Sequence, residues 1–111
     1  MEEIKIESDF MLIRFQNDTN EIQKYDKHIA QGLIQFHFAI KGCGTFMFNQ
    51  GNYTIDLNEE KSLLMYNPQK ELPLNLALAP KTWIISVFVS IQKFHSLFSA
   101  NTNHIPILSG E

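Results

Sequence analysis

Four histidines, one cysteine and a scatter of carboxylates are the groups in this 111-residue chain with types suited to bond-making chemistry. A catalytic metal needs about three nitrogen or oxygen ligands converging on one point. The histidines are His28, His37, His95 and His104. In a small β-barrel, such ligands often come as His-x-His on one strand, with an acid and a third histidine further on. Here Gln35-Phe36-His37 occupies the place of that pair. The next turn carries Lys41 and no acid, and the stretch after Pro68 reads Gln69-Lys70-Glu71-Leu72-Pro73-Leu74 without a histidine. The sequence therefore predicts no metal and no cofactor. His37 is left with two readings: a histidine facing a polar interior pocket, or an ordinary core or edge residue.

Nucleophilic chemistry is no better supplied. Cys43 is the only cysteine, which excludes an intrachain disulfide and a thiolate cluster. Lys41 is its only neighbour able to lower its pKa, so Cys43 reads as a small packed thiol. No serine sits in a Gly-x-Ser-x-Gly elbow. Asp56, Glu59, Glu60 and Glu71 fall in turn-like, solvated stretches, which argues against a carboxylate dyad. Lys41-Gly42-Cys43-Gly44 joins two strand-like segments and opens no helix, so it is no phosphate cradle. The expectation is a protein without catalytic residues.

The elements that would position these groups centre on residues 33–57. Leu33–Ile40, Thr45–Phe48 and Tyr53–Leu57 are rich in β-branched and aromatic residues, and glycine-bearing turns separate them. That pattern is a β-meander. Along the first segment Ile34, Phe36, Phe38 and Ile40 share one face, with Gln35 and His37 on the other. Upstream, 4–8 and 10–16 read as strands, Asn17-Asp18-Thr19-Asn20 as a turn, and 21–28 as a polar edge strand or loop. Downstream, Asn49-Gln50-Gly51-Asn52 suits a hairpin turn and Asn58-Glu59-Glu60-Lys61 a solvated one. Residues 62–66 read as a buried strand, ended by Asn67-Pro68.

Leu72, Leu74, Leu76 and Leu78 alternate onto one face. In the strand from Thr82, Trp83, Ile85, Val87 and Val89 face one way and Ile84, Ser86 and Phe88 the other. Ser90 is the predicted N-cap of a helix over about 91–98, with Ile91, Phe94, Leu97 and Phe98 as its apolar stripe. So short a helix must dock on the barrel or on a partner, and it is expected to close one end of the barrel. Residues 99–111 form a tail.

Eight or so short strands with regular turn signals predict a single all-β sandwich or barrel. Hydrophobic residues make up 44% of the chain, enough for one core, yet no run reaches the roughly 18 apolar residues of a membrane span. The acidic start Met1-Glu2-Glu3 lacks a signal peptide's pattern, so the expected location is the cytoplasm. Net charge is −3, and Arg14 is the only arginine, which argues against direct DNA contact. What remains is a barrel that could hold one small ligand. Gln35, His37, Tyr66, Trp83 and Ser86 are the candidate pocket residues.

The runs QFHFAIKGCGTFMFNQGNYTIDLNEEKSLLMYNP and LPLNLALAPKTWIISVFVSIQKFHSLFS together resemble the N-terminal sensor domain of AraC-type transcription regulators, the Bacteroidetes branch above all. The carriers are the strand ending in Lys41-Gly42, the Gly51-Asn52 hairpin, Leu63-Leu64-Met65-Tyr66-Asn67-Pro68, and the Ile85–Ser90 strand leading into Phe94-His95. The resemblance implies a cupin-like double-stranded β-helix that binds a small effector or forms a homodimer. It implies that DNA is reached only through a C-terminal helix-turn-helix part, which this chain lacks. The rival expectations are a small cupin enzyme, an isomerase or dioxygenase, and a ligand-free dimerisation module.

Overall fold

A computed structural model describes residues 1–48, 51–66 and 68–99, the last two of these by backbone alone. Among these residues nine strands precede one helix: β1 (Glu2–Glu7), β2 (Phe10–Asn17), β3 (Gln23–Lys27), β4 (Leu33–Lys41), β5 (Gly44–Phe48), β6 (Tyr53–Leu57), β7 (Ser62–Met65), β8 (Leu74–Leu78), β9 (Thr82–Ser90) and α1 (Ile91–Ser99). They form two antiparallel sheets. The larger runs β1-β2-β9-β4-β7 and the smaller β3-β8-β5-β6. Apart from the β1–β2 and β5–β6 hairpins, consecutive strands fall in different sheets as the chain crosses between them, which is how a double-stranded β-helix is wound.

The alternation of side chains explains the core. Leu74, Leu76 and Leu78 of β8 and Phe46 of β5 point inward from the small sheet, against Ile13, Phe15, Ile84 and Phe88 of the large one. Each is essentially inaccessible to solvent. The polar 21–28 stretch becomes the edge strand β3, paired only with β8. At the turn between β4 and β5, Gly42 takes a φ of +78°, and a Cβ there would run into Thr82. The Thr82 hydroxyl accepts from the Cys43 N–H at 3.0 Å and donates to the Cys43 carbonyl at 3.2 Å. Only glycine allows that close approach.

Three expectations need correction. β7 is an edge strand, and Leu64 stands exposed on it, because among the described residues β4 is its only strand partner. α1 does not close an end of the barrel. Its Phe94 ring stacks on Phe36 with centroids 6.5 Å apart, and Phe36 stands on the outer face of the large sheet. Asn17, expected in a turn, ends β2 fully buried. Its side-chain amide donates to the carbonyls of Glu21, Leu78 and Ala79, and its oxygen accepts from Thr19. The expectations for Asn49, Gln50, Asn67, His104 and the tail lie outside the described residues, as does the Phe98 side chain.

Candidate functional site

The interior of the large sheet is where the polar half of β4 comes to rest. Gln35 and His37 point inward and are fully buried, as is Ser86, which lies opposite His37 on β9. The register leaves these three touching. Ser86 Oγ lies 2.6 Å from His37 Nδ1, and Gln35 Oε1 lies 3.0 Å from His37 Nε2. Gln35 Nε2 donates to the Leu72 carbonyl at 2.8 Å, so its oxygen is the atom presented to the imidazole. His37 therefore carries its proton on Nε2, and the Ser86 hydroxyl donates to Nδ1. The Phe46 and Phe88 rings pack on the imidazole, at centroid distances of 4.5 and 5.7 Å. Burial pushes the His37 pKa from 6.5 down to about 3. The chain Ser86–His37–Gln35–Leu72 is neutral, and each of its polar atoms has a protein partner.

A metal at the cupin position does not fit this arrangement. Both ring nitrogens of His37 are committed to protein partners, and no three His, Cys, Asp or Glu side chains cluster as a metal site among the described residues. Cys43 is half-buried away from the chain. Burial first, and the Asp56 carboxylate second, raise its thiol pKa.

Of the expected pocket residues, the structure brings together Gln35, His37 and Ser86 and leaves Tyr66 and Trp83 apart. Trp83 cannot join them, because it is three positions from Ser86 on one strand and alternation turns it to the opposite face. It is 37% exposed, and its indole N–H donates to Asp18 at 3.4 Å. Tyr66, one residue beyond β7, is 39% exposed. In the apolar stripe, Ile91 and Phe94 are half-buried, whereas Leu97 is exposed.

One open space among the described residues lies at an end of the sandwich. A cleft of about 240 Å³ is bounded by the β1–β2 turn and by the segment between β3 and β4. Phe88, Met11, Ile29 and Leu33 give it apolar walls, and Lys5, Ser8, Asp9, Lys27 and His28 a polar rim. Phe88 lines the cleft, and its ring also packs on His37. Lys27 is paired with Glu3 at 2.7 Å, and Asp9 accepts the Ser90 hydroxyl at 2.6 Å. Lys5 has no carboxylate partner among the described residues. The sequence carried little signal for this cleft, because its lining comes from three separate segments that only the tertiary fold brings together.

No family model matches the chain, and no curated protein matches it. Solved structures do. An RmlC-like cupin from Desulfovibrio desulfuricans is similar at 13% identity with a TM-score of 0.56, over 79% of this chain and 78% of that one. KdgF from Halomonas is similar at 13% identity and a TM-score of 0.51, over 79% and 74%. An HTH_3 family transcriptional regulator from Vibrio cholerae is similar at 16% identity and a TM-score of 0.48, over 73% of this chain and 41% of that one. The chain thus spans less than half the length of that regulator. With two antiparallel sheets wound as described, the chain has the cupin fold, a double-stranded β-helix. Among the described residues, no helix is long and apolar enough to cross a membrane.

Proposed function

We propose that this chain is the regulatory domain of an AraC-type transcription regulator of the Bacteroidetes kind, acting in the cytoplasm. It takes a small effector and pairs with a second copy, and it catalyses no reaction. DNA is contacted through a helix-turn-helix part that these residues do not include. The strand and turn motifs running from Phe36 to Phe98 support the kinship. The observation that carries the non-catalytic reading is the His37 network. An imidazole held near pKa 3, with both nitrogens bonded inside the core, is a poor base and an unavailable ligand.

The effector enters the cleft beside the β1–β2 turn. Its walls suit a small apolar body, and Lys5 offers a positive charge to an acidic group on that body. A ligand can regulate only by binding two arrangements of the protein with different affinity. Thermal melting against a library of sugars and small organic acids tests the reading. At a hundredfold excess over Kd, a true effector adds about 2.7 kcal/mol, on the order of 10 °C for a domain of this size. One chemical class should give such a shift, and Lys5→Ala should reduce it for acids. Absence of a shift with any compound overturns the sensor reading. Stoichiometric iron, zinc or manganese on the purified protein, with a matching rise in Tm, would favour a cupin enzyme instead.

A further inference from the structure

The large sheet is apolar on both faces. Ile13, Phe15, Ile84 and Phe88 face the core beside the polar Gln35, His37 and Ser86, while Ile4, Phe36, Phe38 and Leu64 face outward. The register makes this face continuous. Ile4, Leu12, Val87, Phe36 and Leu64 lie opposite one another in turn across all five strands. Phe38 and Ile85 form the neighbouring row. Ile4, Phe36, Phe38, Leu64 and Trp83 are each 37–57% exposed. Together they leave roughly 500 Å² of apolar surface open, given the 150–250 Å² that an aromatic side chain can bury. Solvent-facing antiparallel sheets normally carry polar residues on that side. The largest apolar patch of a monomer is of about this size and is often functional.

Resting on the pairing proposed above, we infer that its site is the outer face of the β1-β2-β9-β4-β7 sheet, with a second copy of this chain seated on it about a two-fold axis. Two observations select that occupant. A standard interface buries about 800 Å² per partner, of which about three fifths is apolar. This face supplies an apolar centre of the right size. The charges nearest its centre are also paired within the chain. Arg14 and Glu2 pair at 2.7 Å on the Phe38–Ile85 row, and Lys93 of α1 pairs with Glu7 at 2.6 Å. Beyond those two ion pairs the face carries Lys41 at its rim, opposite Trp83, which is too little charge to draw nucleic acid or to repel an identical copy. An apolar face with so little charge is complementary to itself, as an isologous two-fold contact requires. α1 borders the contact through Phe94 on Phe36, so the helix leaves the barrel beside the partner.

Sedimentation velocity and multi-angle light scattering on the whole chain at micromolar concentrations test this. The wild type should run at twice the monomer mass, and Phe38→Glu should run as a monomer with an unchanged circular dichroism spectrum. Should Phe38→Glu fail to fold, Leu64→Lys on the exposed edge strand reads the same outcome. Lys24→Glu, on the small sheet, should remain dimeric. A monomeric wild type overturns the proposal, including the case in which a segment of the same chain covers the face. A dimer that survives both outer-face substitutions overturns it as well. Neither outcome bears on whether the cleft takes an effector.

Discussion

His37 is neutral in the folded chain across the physiological range, and that has a direct consequence for acid stability. Its pKa is 6.5 as a free side chain and about 3 when buried. Below about pH 6.5 the unfolded chain binds a proton that the folded chain refuses. Stability contributed by the neutral imidazole is therefore complete above that pH and is lost as pH falls towards 3. The slope is about 1.4 kcal/mol per pH unit within that window. Urea unfolding at pH 7 and pH 5 should show the wild type losing about 2 kcal/mol more than His37→Gln, which has no proton to gain. Equal losses in the two proteins would show that the network does not hold His37 neutral. The same residues explain why the interior tolerates a histidine at all. Ser86, Gln35 and the Leu72 carbonyl meet every polar atom, so no desolvated group is left unpaired.

At the scale of elements, the joint between the β1–β2 turn and α1 ties the cleft to the helix. Ser90 caps α1, its hydroxyl accepting from the Lys93 N–H at 3.0 Å. The same hydroxyl donates to Asp9, and the Ser90 N–H donates to the Asp9 carbonyl at 3.0 Å. Asp9 also lines the cleft, so an occupant there touches the residue that anchors the start of the helix. Ser90→Ala removes the cap and the Asp9 bond while leaving the backbone contact. It should cost about 1–2 kcal/mol in urea unfolding and lower the helical signal. An unchanged midpoint would mean that docking of Phe94 on Phe36 alone holds a helix of nine residues, which is too short to persist unaided.

At the scale of the molecule, pairing through the large sheet makes stability depend on concentration. Association that favours the folded form raises Tm by mass action. Melting curves over a hundredfold range of protein concentration should move upward for the wild type. They should superimpose for Phe38→Glu, and that contrast separates loss of pairing from loss of fold. A net charge of −3 is small enough to leave such pairing nearly unopposed at physiological salt.

The amino-acid order determined the local structure. β-Branched and aromatic runs made the strands, Gly42 and Gly51 made tight turns, and Ser90 marked the start of the helix, because each effect acts within a few residues. It also determined which side chains share a face, since alternation along a strand is strict. By that rule Trp83 could never have joined Ser86, and this much was legible before any fold was known. Tertiary structure alone decided which face turned inward. The strand carrying Phe36 and Phe38 would bury them on hydrophobicity alone, yet its polar face went inside. Ser86 and the Leu72 carbonyl, 49 and 35 residues away from His37 in sequence, supply partners that only the winding of the two sheets brings within reach. The cleft and the apolar outer face follow from that same choice.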